Sequence, residues 1–147
     1  MNRRTFLKNS CLSCLGLSAA VSSLQSCAGA RHISATLTDK GLLVPLQAFI
    51  AKQGKGWLRY VVVRNESLQY PVCIYRNAAD HFTALYMRCS HQGAELQVAG
   101  ERLSCPAHGS EFDVSGQVQQ GPADQPLRSF PVTVKEQELF IDLRKPV

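Results

Sequence analysis

Beyond residue 33 apolar and polar side chains alternate with a period of two, and turn-forming residues interrupt the pattern at short intervals. The pattern predicts strands at 41–44, 57–64, 72–76, 82–88, 95–98, 102–104, 129–135 and 139–143. Lys52-Gln53-Gly54-Lys55-Gly56, Asn65-Glu66-Ser67, Asn77-Ala78-Ala79-Asp80 and Ala99-Gly100-Glu101 read as the turns between them. No segment in this region keeps a helical period beyond about two turns, and 46–52 is the best short candidate. The expected fold class is all-β, an antiparallel β sandwich or barrel. Trp57, Tyr60, Tyr75 and Tyr86 fall at strand positions and are expected in the core or on a sheet face. His32 and His81 are expected in solvent.

The first 27 residues read differently. Asn2-Arg3-Arg4-Thr5-Phe6-Leu7-Lys8 precedes a mildly apolar stretch from Cys11 to Leu24, the order of a secretory signal. Ser10 just before it and four serines within it dilute that stretch, and a stable membrane span needs roughly 20 predominantly apolar residues. The run around Arg3 and Arg4 resembles the twin-arginine motif, which implies the twin-arginine export machinery as a partner. Leu24-Gln25-Ser26-Cys27 resembles a bacterial lipobox, which implies lipidation at Cys27 and a lipid anchor on the membrane surface at the periplasmic face. The expected organisation is a signal over 1–27, a leader over 28–40, one domain over 41–143 and a short tail over 144–147.

Charge supports this division. Arg3, Arg4 and Lys8 lie in the first ten residues, while every acidic residue lies beyond position 38. Without that segment, thirteen cations face eleven acidic residues, and the net charge falls from +5 to +2. The basicity belongs to an address and not to a folded face, so no nucleic-acid partner is expected. At 147 residues, 45% hydrophobic and 18% charged, the chain is neither disordered, collagen-like nor a multi-span membrane protein.

Six cysteines can be sorted by context. Cys11 and Cys14 lie in the signal, Cys27 is the lipid candidate, and Cys73 sits in an apolar strand as a buried thiol. Cys89 and Cys105 each have a histidine at short range, in Cys89-Ser90-His91-Gln92-Gly93 and Cys105-Pro106-Ala107-His108-Gly109. The 13 residues between His91 and Cys105 suffice for a small hairpin that sets the two turns side by side. Two soft thiolates and two neutral imidazoles can hold a metal centre. Zinc would take all four on one ion. An iron–sulfur cluster would put two Cys on one iron and two His on the other.

The residues after the ligands favour the second. His108-Gly109-Ser110-Glu111-Phe112-Asp113, Gly116-Gln117-Val118, Gly121-Pro122-Ala123 and Leu127-Arg128-Ser129-Phe130-Pro131-Val132 follow in order, and the chain from 41 to 143 resembles the Rieske [2Fe-2S] family. The resemblance implies a base of antiparallel sheets with a small cluster-binding subdomain inserted at about 88–123. It implies one [2Fe-2S] cluster, with Cys89 and Cys105 on the inner iron and His91 and His108 on the outer. Gly121, Pro122 and Ala123 resemble the proline loop that covers the cluster. Ser110 matches a serine whose hydroxyl bonds a bridging sulfide.

Departures from the family carry information. The second cysteine that cytochrome bc members place in each turn falls at Ala94 and Ala107, so their bridging disulfide is absent. The tyrosine that bonds a cysteine sulfur falls at Phe112. One hydrogen-bond donor of two predicts a potential on the order of 0 to +200 mV, within the roughly −150 to +300 mV span of Rieske centres. Glu111 and Asp113 read as solvated turn residues, and no catalytic residue is expected. The expected function is one-electron transfer between a quinol or protein donor and a cytochrome-type acceptor, as a subunit or carrier for a respiratory or periplasmic oxidoreductase. The alternatives are a Rieske ferredoxin of a ring-hydroxylating oxygenase and a zinc-stapled module without redox chemistry.

Overall fold

The computed structural model describes residues 30–52, 54 and 56–144. Arg3, Arg4 and Cys27, and with them the expected signal and lipid site, lie outside the described residues. No helix among the described residues is long and apolar enough to cross a membrane.

Three small sheets account for the β expectation. The five-stranded sheet contains β1 (His32–Ser34), β4 (Tyr60–Arg64), β5 (Val72–Arg76), β6 (Phe82–Tyr86) and β11 (Ser129–Phe130), adjacent in that order. A second sheet contains β12 (Val132–Val134), β13 (Glu138–Asp142), β3 (Gly41–Pro45) and β2 (Thr36–Leu37). The third contains β10 (Val118–Gln120), β9 (Glu111–Asp113), β8 (Arg102–Ser104) and β7 (Gln97–Val98). All pairings are antiparallel except β1 with β4, which is parallel and departs from the expected pattern.

The five-stranded sheet is covered on both faces. Val61, Val63, Val72, Ile74, Phe82 and Ala84 point into one core with Leu42, Val44, Phe49, Leu139 and Ile141 of the second sheet side. Val62, Cys73, Tyr75 and Leu85 point the opposite way, into a core shared with Leu103, Phe112, Cys89 and Cys105. Two covered faces explain why Val61-Val62-Val63 and Val72-Cys73-Ile74-Tyr75 are continuous apolar runs. The second core lies directly beneath the Cys/His turns. The chain leaves the five-stranded sheet after β6 and returns to it at β11, and the whole third sheet lies between.

Several boundaries differ from the sequence expectation. Residues 32–37, expected as leader, form β1 and β2, because each finds a distant edge to pair with, at β4 and β3 respectively. The candidate helix is a single 3-10 turn, Leu46–Phe49. The strand expected from 57 begins at Tyr60. Trp57 is 53% exposed, bridges Ile50, and lies under the Arg76 guanidinium at 4.1 Å, so it is no core residue. The strand expected over 129–135 is two strands in two sheets. Pro131 has no N–H for a ladder, and the chain changes sheet there.

Candidate metal centre

Two turns on the inserted sheet carry the Cys/His pairs. Loop 1 (89–94) closes a short hairpin through the bridge between Arg88 and Glu95 and the bond from Leu96 N–H to the Met87 carbonyl, 3.0 Å. Loop 2 (105–110) joins β8 to β9, whose nearest cross-strand pair is Ser104 with Glu111. In loop 1 the Cys89 N–H donates to the Ala94 carbonyl at 2.8 Å, and the Gly93 N–H to the Cys89 carbonyl at 2.9 Å. In loop 2 the Cys105 N–H donates to the Ser110 carbonyl at 2.8 Å, and the Gly109 N–H to the Cys105 carbonyl at 2.9 Å. The glycines sit at φ +77° and +78°, the left-handed region that a side chain disfavours.

These turns bring the four expected ligand residues together in two pairs. Cys89 and Cys105 are buried, free of disulfides and in contact with each other. Backbone N–H groups of His91 and Gln92 point at the Cys89 sulfur, and those of Ala107 and His108 at the Cys105 sulfur. Burial pushes the Cys89 thiol up against the pull of its two amides. Burial acts the same way at Cys105, but the Ala107 and His108 amides and the Cys89 thiol outweigh it, and that thiol lies below its ordinary value. The imidazoles of His91 and His108 meet edge to face, with centroids 5.0 Å apart and planes at 86°. His91 Nδ1 is buried with no hydrogen-bond partner, an arrangement proteins avoid unless something else satisfies the nitrogen. Among the described residues no three of His, Cys, Asp and Glu converge on a point for a single ion. Two thiols beneath two imidazoles, sulfurs met by amides and a ring nitrogen left unpaired fit a binuclear cluster with thiolate and imidazole ends.

Loop 3 (121–126) covers the pair from a third side. Ser110 is fully buried, and its Oγ accepts the Ala123 N–H at 3.0 Å, which leaves the hydroxyl proton free to donate elsewhere. Ser90 Oγ donates to the Gln125 carbonyl at 2.6 Å, and Gln120 Nε2 to the Gly109 carbonyl at 3.1 Å. Gly121 and Pro122 are exposed at the tip, joined by a cis peptide. Phe112 is fully buried in the core below.

Ser90, Gln120 and Tyr70, whose hydroxyl donates to the Gly93 carbonyl at 2.6 Å, were not legible as site residues. No motif marks them. They act through backbone carbonyls that only the folded chain brings near. Glu111 and Asp113 are strand residues and not solvated turn residues. Glu111 pairs with Arg102 at 2.6 Å. Burial pulls the Asp113 carboxyl up, but bonds from Ser115, Gln117 and Gly116 hold it below the usual carboxylate range. Burial pushes the Cys73 thiol up to about 12, as expected of an inert structural cysteine.

Known proteins resemble this chain. The family profile described as Rieske [2Fe-2S] domain matches residues 52–131, more than half of the chain. The cytochrome b6-f complex iron-sulfur subunit 2 of Nostoc sp. is 31% identical over 84 residues, 56% of this chain and 41% of that protein. The match therefore spans well under half of that relative's length. Ferredoxin CarAc of Metapseudomonas resinovorans is 36% identical over 75 residues, 48% of this chain and 69% of that protein. The solved cyanobacterial plasma membrane Rieske protein from Synechocystis is similar in fold, with TM-score 0.50 at 22% identity, covering 57% of this chain and 86% of that one.

Proposed function

The chain belongs to the Rieske [2Fe-2S] domain family, whose members bind a single [2Fe-2S] cluster, and on that premise we propose how its residues hold the cluster and pass electrons. Cys89 and Cys105 would hold one iron and His91 and His108 the other. The observation that carries the assignment is the unpaired, buried Nδ1 of His91 beside an edge-on His108, above two thiols already met by four amides. When bound, the cluster supplies one-electron chemistry.

The residues of the chain do the rest. The amides at both sulfurs favour thiolate over thiol and stabilise added negative charge. Ser110, with its oxygen fixed by Ala123, keeps a hydroxyl proton to donate, and a bond from it to the cluster would favour the reduced state. Loop 3 excludes water from one side. His108 is exposed and gives the electron its way out to a docked partner.

The proposed role is single-electron carriage between a quinol or protein donor and a cytochrome-type acceptor. Arg3 and Arg4 would send the folded domain through the twin-arginine exporter, and Cys27 would anchor it by lipid at the periplasmic face. An EPR spectrum of the dithionite-reduced full chain tests the cluster. A rhombic signal of low average g is expected, and a silent, colourless protein holding zinc would sink the assignment.

A second reading, a ferredoxin serving a ring-hydroxylating oxygenase, is favoured by two observations. The ferredoxin relative is matched over 69% of its length against 41% for the cytochrome-complex subunit. All described cysteines are free, so no disulfide braces the loops. Cell fractionation separates the readings. A shortened chain with lipidated Cys27 at the membrane supports the first; a full-length chain with unmodified Cys27 in the cytoplasm supports the second.

A further inference from the structure

Eight arginines are described, and seven have their guanidinium groups engaged. Four form ion pairs, one donates to backbone carbonyls, and two lie over aromatic rings. Arg88, beside the first cluster cysteine, has no side-chain partner among the described residues, and it is exposed. Its natural partner would be Glu95, directly across the bridge, but that carboxylate is taken by Arg64.

Arg88 is nevertheless held in place. Its guanidinium turns the Nε–Nη2 edge toward Gly93 of loop 1. A methyl group on Gly93 would stand 3.1 Å from Nη2, 3.2 Å from Nε and 3.5 Å from Cζ. A guanidinium resting on a loop by one edge, with its outer N–H groups turned to solvent, loses less side-chain entropy when it binds, and arginine is enriched among the residues that dominate interfaces. The loops beside it carry almost no charge. Loop 1 adds Ser90, His91 and Gln92, loop 2 adds Pro106, Ala107 and His108, and loop 3 holds one charged residue, Asp124.

We propose that Arg88 is the docking anchor for the redox partner, gripping a carboxylate at the rim of a protein surface whose centre, over His108, is uncharged. The proposal rests on the reading that loops 1 and 2 hold the cluster. It deepens that reading by naming the partner's chemistry: a redox protein with an acidic residue at the edge of a neutral docking site. One fixed cation on a neutral tip sets the register of the encounter more than its strength.

Two measurements on the full chain test it. Labelling with phenylglyoxal, read peptide by peptide by mass spectrometry, should modify Arg88 ahead of the other seven described arginines. Hexacyanocobaltate(III), a redox-inert trianion, should slow that modification. In the second, hexacyanoferrate(III) oxidises the reduced cluster; one electron leaves the cluster, the acceptor becomes hexacyanoferrate(II), and no bond forms or breaks. Arg88→Gln should lower this rate about three- to tenfold at low ionic strength, through loss of local attraction. Lys40→Gln, the same charge change in the turn between β2 and β3, should alter it by less than about 1.5-fold. The cationic tris(phenanthroline)cobalt(III) should react no more slowly with Arg88→Gln than with the parent.

Slow labelling of Arg88, or equal effects of Arg88→Gln and Lys40→Gln, would overturn the proposal. So would a fall with both probes together with a changed EPR signal, which would make Arg88 a support for loop 1. Protection of Arg88 by phosphatidylglycerol vesicles, with no effect of Arg88→Gln on hexacyanoferrate, would assign it to a lipid surface and overturn the protein partner. A chain without the cluster signal fails the reading above, while the labelling still decides whether Arg88 is a free anion-binding guanidinium.

Discussion

Loops 1 and 2 share a backbone and differ in what their side-chain positions hold. Each begins with cysteine, places glycine fifth at nearly the same positive φ, and closes with the same two backbone hydrogen bonds. Loop 1 spends its third position on His91, half-buried with Nδ1 enclosed; loop 2 spends its fourth on His108, which is exposed. Loop 1 ends on Ala94 and loop 2 on the buried Ser110, which ties down loop 3. Gly93 is backed by the Arg88 guanidinium, whereas a methyl group on Gly109 would meet only Gln120 at 3.9 Å. The turn is thus set by glycine and two amides, and the chemistry by which slots carry side chains.

The strongest way to break the comparison is to remove a cysteine from either turn. Cys89→Ser and Cys105→Ser should each abolish the EPR signal of the reduced protein, to the same extent. A full signal in either variant would show that the turns are not equivalent halves of one site.

Ser110→Ala should come next. It leaves the buried Ala123 N–H without an acceptor, at a cost of about 1–3 kcal/mol. It should also lower the midpoint potential by voltammetry, because the reduced cluster loses a donor. Ala94→Ser in loop 1 should do neither, and a matching shift there would erase the asymmetry.

The glycines sharpen the comparison further. Alanine at either position costs about 1–2 kcal/mol for the left-handed backbone. Gly93→Ala should cost more than Gly109→Ala, since it must also displace Arg88, and chemical denaturation of both variants would reveal the order. Equal losses would mean that the Arg88 seat is soft.

The smallest effect separates the third thiol from the loop pair. Burial pushes the Cys73 thiol up to about 12 from an ordinary 9.0. A raised pKa contributes stability that is whole below pH 9 and is lost as pH climbs from 9 toward 12. Cys73→Ala should therefore flatten the alkaline fall in unfolding free energy. Parallel slopes for the two proteins would show that burial does not suppress the thiol's ionisation.

Some of this was readable along the chain. Cys89, His91, Cys105 and His108 stand out because metal ligation demands particular residue types at short spacing, and both cluster turns carry their glycine. β3 and β5 were readable because apolar positions fill most of each strand, and β8 because the Ala99-Gly100-Glu101 turn precedes it and makes it the return strand of a hairpin. β9 and β10 were not: three residues around the buried Phe112, or Val118 ahead of two glutamines, make no period. Pro131 carried a signal that the apolar run 129–135 obscured: a residue without an N–H cannot continue a ladder.

Local chemistry is what the sequence alone determined: an all-β chain, two Cys/His turns, a serine after the second and a third loop with proline. Each follows from residues within a few positions of one another. The tertiary structure decided everything that joins distant positions. It placed Cys73 beneath the site because the middle sheet is covered on both faces. It gave Ser110 to Ala123, and it gave Glu95 to Arg64 across 31 residues, leaving Arg88 without a side-chain partner among the described residues. Which of two nearby cations a carboxylate takes depends on strand register and side-chain direction, and neither is written in spacing along the chain.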